Sequence, residues 1–360
     1  MRVLFDMGHP AHVHLFKNII KKLKQDGHEV KITARDKEVT LALLRSYGMD
    51  YETRGAMYHG MLNKAFGMLS IDYALYRIAK KFRPDLLIGV HNPYIAHVGF
   101  LLRKPAVIFT DTENVKIASL ITYPFVQCIL TPPFFREKVD PKKHIVINGF
   151  KETAYLHPHY FCPDPHVLAE IGLTPADKFI ILRFISWGAS HDVGLQGIRK
   201  GAENEMISTL SRFGKIFITS EKPLEGDLEQ YRLHVPPEKI HSLLYYAQLY
   251  IGEGGTMAVE SAMLGTPAIH IESAPDGQPT GASCGNFLEL RDTYDLLYFF
   301  ATQDEAMKKA VEILEDPDSK TKWQEKQKVL MDDVVDVTGW LTEFIENYPE
   351  SFRQHANFEK

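Results

Sequence analysis

Short aliphatic and β-branched runs alternate with longer amphipathic stretches from the start of the chain. Arg2–Asp6 reads as a strand, His12–Gln25 as a helix, Glu29–Ala34 as a strand and Lys37–Arg45 as a helix closed by Tyr47-Gly48. Asp50–Thr53 follows as a short strand and Met61–Phe82 as a long helix, then Asp85–Val90, Pro93–Leu102 and Pro105–Thr110 as strand, helix and strand. Val126–Leu130 and His144–Ile147 complete the series. Apolar runs of about five residues separated by helix-length segments predict βαβ units around a parallel sheet.

Asn148–Pro165 breaks the rhythm with Gly149, Pro158, Pro163 and Pro165 among aromatics and histidines, which predicts an interdomain linker. The alternation then restarts. Phe179–Phe184, Ile216–Thr219, Leu249–Gly252 and Ala268–Ile271 read as strands, with helices over Ala202–Arg212, His241–Ala247 and Thr256–Leu264. Helical patterns over Asp304–Leu314, Ser319–Leu330 and Gly339–Glu346 finish the chain. The expected fold class is α/β, with two Rossmann-like doubly wound parallel-sheet domains facing a cleft. Domain limits are set at 1–155 and 156–337, with a terminal helical segment at 338–360. Ligands of such sheets bind outside the carboxyl ends of the strands.

Composition narrows the reading. The 360 residues are 45% hydrophobic and 24% charged, which excludes a disordered or collagen-like chain. Cys128, Cys162 and Cys284 lie far apart with no CxxC pair, so zinc-ribbon and thioredoxin readings fail, and the odd count suits a reducing cytoplasm. No apolar run reaches the ~18–20 residues of a membrane span, and an acid at Asp6 argues against a signal peptide. The net charge of −5 conceals a split: residues 1–163 hold 23 Lys and Arg against 14 Asp and Glu, and the remainder 18 against 32. General nucleic-acid binding by the whole chain is not expected. The basic half suits an anionic partner such as a phospholipid surface or a phosphorylated acceptor, or the split is surface composition alone.

The densest candidate chemistry lies in Leu249–Pro267, a strand, a turn with Gly252, Gly254 and Gly255, a helix, and then Gly265 entering the next strand. Glycines let the backbone approach a ligand, and free N–H groups at a helix start form an anion site. Thr256 can cap the helix or meet a phosphate oxygen. Glu260 follows one turn later on the same face, placed to accept from both ribose hydroxyls. The competing reading is a tight strand–helix turn with a solvated Glu.

The segment from Pro237 through Gly254-Gly255-Thr256 to Pro267 resembles the donor-binding domain of GT-B-fold proteins. Among these are the bacterial transferase that adds N-acetylglucosamine to a lipid-linked peptidoglycan precursor, and the non-hydrolysing UDP-N-acetylglucosamine 2-epimerase. In both a small or Gly-rich turn binds the nucleotide-sugar diphosphate, and a Glu five residues before a Gly binds the ribose, the spacing of Glu260 and Gly265. Where those families usually carry Ser this chain has Glu253, an acid that a diphosphate tolerates only if it points away. The run Asp6-Met-Gly8-His9-Pro-Ala-His12-Val-His14 extends the likeness, since the transferase has a Gly-rich loop and a His fifteen residues before the Gly that ends the helix, as His12 precedes Gly27. Nearly the whole chain is similar to a prokaryotic family catalogued as domain of unknown function number 354 and grouped with GT-B proteins. The marks are Asp6–His14, Asp111-Thr-Glu113, Ala154–Pro158, Arg183–Trp187 with His191-Asp192, and Gly254–Thr256. The resemblance implies that the last helix crosses back onto the first domain.

Further residues sit at expected strand ends. Arg183 could grip a diphosphate bidentately, with Ser186 and His191 as added donors, or form a structural ion pair. Thr219-Ser220-Glu221-Lys222 ends another strand and could meet the base. Asp276, Gln278 and Asn286 lie where GT-B transferases read the donor sugar, although turn chemistry also explains Asp276-Gly277. In the first domain His12 is the candidate general base, since its ordinary pKa suits proton transfer near neutrality. Gly8, His9, His14 and His91 are the acceptor-side candidates. The three neighbouring histidines also fit a capping or packing cluster, or a metal site, although no nearby carboxylate or Cys completes one, so metal is not expected. Asp111 and Glu113 are alternative bases or helix-capping acids. The helix over Met61–Phe82, with Lys64, Arg77, Lys80 and Lys81, either lies on a membrane surface or packs on its own sheet.

The expectation is a metal-independent transferase without a cofactor, moving sugar from a nucleotide sugar, UDP-linked, to an anionic or lipid-linked acceptor. It would work in the cytoplasm at the inner membrane face, in cell-envelope chemistry. A UDP-sugar 2-epimerase and a non-catalytic nucleotide-sugar binder are the alternatives. Neither the acceptor nor the oligomeric state can be read from the sequence.

Overall fold

Strand β1 (Arg2–Met7) holds Val3, Leu4, Phe5 and Met7 without solvent exposure. A strand buried on both faces belongs inside a parallel sheet covered by its crossover helices. The computed structural model describes residues 1–55, 61–185, 195–199, 201–221 and 223–355, with backbone alone at 38 and 61–66. The chain divides into two compact units, Met1–Tyr160 with Val335–Lys360, and Phe161–Val334. The limits expected from the sequence are 155 and 337.

Unit 1 begins β1, α1 (Pro10–Gln25), β2 (Glu29–Ala34), α2 (Glu38–Ser46), β3 (Glu52–Thr53), α3 (Met61–Phe82), β4 (Leu86–Val90) and α4 (Pro93–Leu102). It continues with β5 (Ala106–Phe109), α5 (Lys116–Thr122), β6 (Cys128–Thr131), β7 (His144–Val146) and α6 (Thr153–Leu156). Its seven strands are parallel in the order β3-β2-β1-β4-β5-β6-β7, so the winding reverses between β1 and β4.

Unit 2 contains α7 (His166–Glu170), β8 (Phe179–Phe184), α8 (Glu203–Leu210), β9 (Lys215–Ser220), α9 (Ile240–Tyr246), β10 (Leu249–Gly252) and α10 (Gly255–Met263). It ends with β11 (Ala268–Ile271), α11 (Gly285–Asp292), β12 (Leu297–Phe300), α12 (Gln303–Glu315) and α13 (Ser319–Asp333). The five strands are parallel in the order β12-β11-β10-β8-β9, reversing between β8 and β10. The chain then re-enters unit 1 as α14 (Val337–Glu346) and α15 (Glu350–His355).

Helix α1 starts where its sequence stops competing with it. Pro10 occupies the first turn, and His9 caps it through an Ala11 N–H bond to Nδ1 at 3.2 Å. Its apolar stripe includes Phe16 and Ile19, which meet Leu341, Phe344 and Ile345 of α14 above Ile88, Val107 and Phe109 of the sheet. Each such side chain contributes roughly 1.5–3 kcal/mol by leaving water.

The passage from unit 1 to unit 2, after Tyr160, falls inside Asn148–Pro165 as expected, but the first part of that segment is core and not linker. Thr153–Leu156 is a buried turn of helix, and Ala154 O accepts from Asn18 Nδ2 at 3.0 Å and Thr338 Oγ1 at 2.7 Å. The prolines obscured an apolar set, Phe150, Ala154, Tyr155 and Leu156, that belongs to the core. In unit 2, Lys320 reaches the open end of α9, donating to Tyr245 O at 2.5 Å, Ala247 O at 3.0 Å and Thr266 Oγ1. Three acceptors meet the three donors of its charged form, while burial pushes its pKa down to about 7.

Candidate functional site

The unit 2 site forms where the winding of its sheet reverses. Gly252, the last residue of β10, pairs with Arg183 of β8 so closely that a Cβ there would lie 2.4 Å from Arg183 O. Gly254 then takes φ +80°, a left-handed conformation that L side chains adopt only under strain, and serves as N-cap of α10 without any side-chain hydrogen bond. The leading amides of this helix therefore have no side-chain cap. The Arg183 guanidinium lies alongside, its Nε 3.7 Å from where a Gly254 Cβ would stand. Its Nη2 donates to Glu221 Oε1 at 2.8 Å, a pairing in which the glutamate is 44% exposed. A cation beside an uncapped helix start at a topological switch point is an arrangement that accepts an anion.

Glu253 does not oppose that charge. Its carboxylate turns away, Oε2 accepting from Ile185 N at 2.9 Å and Oε1 from Ile198 N at 2.8 Å. It thereby ties together the two described ends that flank residues 186–194. Ser186 and His191 lie outside the described residues, as does Lys222.

Gly255 and Thr256 open α10, Thr256 half-exposed. Glu260 is not the solvated acid of the competing reading: it is 4% exposed, with Oε1 3.1 Å from Nε2 of buried His241. Asp276 and Gln278 are exposed in a turn where Gln278 N donates to Asp276 Oδ1 at 3.0 Å. Asn286 stands in the first turn of α11, its Oδ1 accepting from Phe287 N at 2.9 Å.

The second constellation gathers at the strand ends of unit 1. Asp6, wholly buried at the end of β1, accepts from Thr33 Oγ1 at 2.7 Å, Arg54 Nε at 2.6 Å and Asn92 Nδ2 at 2.5 Å. Asn92 in turn caps α4 through Tyr94 N at 3.0 Å. Gly8 follows β1, and its N–H donates to His12 Nδ1 at 3.2 Å. Burial, and then the positive charges of His9, Lys151 and Arg54, hold the His12 pKa well below its ordinary value.

Lys151 pairs with Asp111 and, at 3.2 Å, with Glu152. Burial works against its charge, but the two carboxylates prevail and raise its pKa. Glu113 is 8% exposed and accepts from Arg136 N at 3.4 Å. His91, in a left-handed backbone position at φ +39°, has Nδ1 2.8 Å from Thr110 Oγ1, and burial lowers its pKa against the pull of Glu137 and Asp111.

Two of the expected histidines serve the fold. His9 is the α1 cap. His14, 5% exposed, stacks on Tyr155 at 5.2 Å with Nδ1 3.3 Å from Tyr47 Oη, because the helix turns its position inward. Asn92 was legible beside His91 at the end of a strand, but Arg54 and Lys151 carry no signal in the sequence. Arg54 follows a two-residue strand with no motif around it, and Lys151 meets its partner Asp111 across 40 residues. Among the described residues no cluster of His, Cys, Asp and Glu could hold a metal ion, and no helix is long and apolar enough to cross a membrane.

Comparison with known proteins places the chain. It is 25% identical over 276 residues, 74% of its length and 80% of the relative's, to an uncharacterized protein of Methanocaldococcus jannaschii. Its fold matches the spinosyn rhamnosyltransferase complexed with thymidine diphosphate at TM-score 0.63, with 14% identity over 96% of this chain and 100% of the other. It matches the Neisseria meningitidis UDP-GlcNAc 2-epimerase bound to UDP-GlcNAc at TM-score 0.62, with 12% identity over 98% of this chain and 100% of the other. These likenesses show a GT-B fold. The family model described as Protein of unknown function (DUF354) matches residues 1–338, and the chain belongs to that family.

Proposed function

We propose that this member of the DUF354 family transfers a sugar from a UDP-linked donor, bound by unit 2, to an anionic or lipid-linked acceptor bound by unit 1. The observation that carries the reading is Arg183 beside the uncapped start of α10. That pair supplies positive potential where a leaving diphosphate gains charge, so the departure step is stabilised without a cofactor. Gly254, Gly255 and Thr256 would line the diphosphate, Glu260 would meet the ribose, and Asp276, Gln278 and Asn286 would read the sugar hydroxyls. Ser186 and His191 are further donor-side candidates. In unit 1, Asp111 is already neutralised by Lys151, so Glu113 is the preferred proton acceptor. The ligands named for the two fold neighbours, thymidine diphosphate and UDP-GlcNAc, support a nucleotide-sugar donor.

Six exposed apolar side chains on α3, α4 and α5 (Leu69, Tyr73, Phe100, Leu101, Ile117 and Leu120) support an acceptor met at a membrane surface, on the cytoplasmic side. A second reading, UDP-sugar 2-epimerisation, draws on the acids Asp111 and Glu152, both paired with Lys151, and on buried Glu113 two residues beyond Asp111. Calorimetry with UDP and a panel of UDP-sugars, followed by incubation of each sugar nucleotide alone, separates the readings. An epimer or free glycal formed without acceptor replaces the transferase with the epimerase. Binding without turnover under any acceptor leaves a binding protein, and no nucleotide binding at all removes the proposal.

A further inference from the structure

We infer that Gly8 holds His12 as an Nε2–H donor, and that His12 and Arg54 form a cradle over Gly8 that takes the oxyanion of a phosphate group. The inference goes beyond the proposed function and needs neither a donor nor turnover.

The tautomer follows from one bond. A backbone N–H can only donate, so the Nδ1 that receives the Gly8 amide at 3.2 Å must carry a lone pair. The proton of the neutral ring then sits on Nε2. Protonating the ring would place a second hydrogen on Nδ1 against the amide, and the cationic neighbours already disfavour it. In this form the ring has no free basic nitrogen, so His12 offers a hydrogen bond and the expectation of a general base is set aside.

The cradle follows from what glycine leaves open. A Cβ on Gly8 would lie 3.5 Å from Arg54 Nη2 and 3.9 Å from His12 Cε1, so both donor-bearing groups border one small volume. Arg54 cannot swing out of it. Its Nε is bonded to Asp6, its guanidinium lies 4.5 Å over the Tyr94 ring, and its side chain is 3% exposed. Asp6 is itself held by Thr33 and Asn92. A rigid guanidinium and a neutral ring N–H suit a tetrahedral oxyanion, whose oxygens accept from both at once.

The test uses the full chain labelled with 15N at histidine. Long-range 1H–15N correlation at pH 7 should show His12 protonated on Nε2, and inorganic phosphate at millimolar concentration should shift its signals. Gly8→Ala fills the cradle at ordinary contact distances, so the melting temperature should stay within a degree or two while phosphate affinity at His12 falls about tenfold or more. A proton found on Nδ1, no shift of His12 with phosphate, or Gly8→Ala binding phosphate as tightly as the parent each overturns the inference.

Discussion

The guanidinium of Arg183 and the absent side chain of Gly254 face one another across the reversal point of the five-stranded sheet, with 3.7 Å between Nε and the Cβ position. The prediction concerns charge, not bulk. Arg183→Gln keeps much of the length and a hydrogen-bonding head but removes the cation. UDP should bind about ten- to a hundredfold more weakly, the loss of one charged hydrogen bond, with thermal stability retained because the partner Glu221 lies partly in solvent. Isothermal calorimetry decides it, and equal affinity would move the diphosphate elsewhere.

Glu260 calls for two substitutions. Glu260→Ala strands buried His241 without its partner and should cost roughly 1–3 kcal/mol of unfolding free energy. Glu260→Gln retains an acceptor for His241 and should fold near normally while binding UDP less tightly than the parent. Denaturant titration and calorimetry of both variants separate the structural share from the ribose share. Glu260→Gln with full UDP affinity would leave Glu260 a purely internal residue.

The ammonium of Lys320 seals the end of α9 against α13. Lys320→Met removes the donor to Tyr245 O, Ala247 O and the Thr266 hydroxyl, of which Tyr245 O keeps a bond from Thr266 Oγ1, and should lower unit 2 stability by about 1–3 kcal/mol. Pulse proteolysis should show new cleavage confined to 161–334. An unchanged pattern would mean that water replaces the lysine at no cost.

Unit 1 should weaken in acid before its carboxylates titrate. His12, His91, His144 and His157 all have pKa values lowered first by burial. Their folded forms bind fewer protons than the unfolded chain, so their stabilisation is full above about pH 6.5 and is lost as pH falls toward the depressed values. His97, raised by its hydrogen bond to Asp72, works oppositely, its contribution present below about pH 6.5 and lost as pH rises through its folded pKa. Four against one predicts a net decline between about pH 6.5 and 5.5. Equilibrium unfolding across that range checks it, and a rise in stability would contradict the assignment.

If the acceptor is lipid-linked, α5 is the part of unit 1 that meets the bilayer surface. Ile117 and Leu120 are 79% and 72% exposed, and Arg77, Lys80, Lys81 and Arg103 are exposed on α3 and just beyond α4. The side chain of Lys64 lies outside the described residues. Ile117→Ser with Leu120→Ser should reduce co-sedimentation with anionic vesicles severalfold and leave UDP affinity unchanged. Binding of the parent should fall as salt rises, since exposed charges are screened beyond ~8 Å at physiological ionic strength. Equal sedimentation with neutral and anionic vesicles would reduce the charge split to surface composition.

Strands were the most legible part of the chain. β1, β4, β8 and β10 are buried on both faces, so their near-continuous apolar runs stand out between polar helices. β12 passed unseen because Leu297–Phe300 is an edge strand with alternating burial and no Gly or Pro just before it. α5 and α11 were missed because neither carries an apolar period long enough to register over 7 and 8 residues. The glycine turn of β10–α10 was legible since close approach and positive φ admit few other residues. The unit 1 constellation was not, because Asp6, Arg54 and Asn92 meet only after three separate crossovers, and no local pattern marks residues 48 and 86 positions apart as partners.

The two bonds of Glu253 also bear on how freely the chain can vary. By holding the backbone of Ile185 and of Ile198 to one carboxylate, Glu253 pins two points of the chain independently of the number of residues between them. Loop-closure cost rises only slowly with length, about 0.6 kcal/mol for each doubling. Insertions or deletions between these two points should therefore leave the five-stranded sheet nearly as stable as before. One glutamate thus fixes both the point where the chain leaves β8 and the point to which it returns, so the anchoring of the fold at this place rests on two backbone bonds and not on any particular sequence between them.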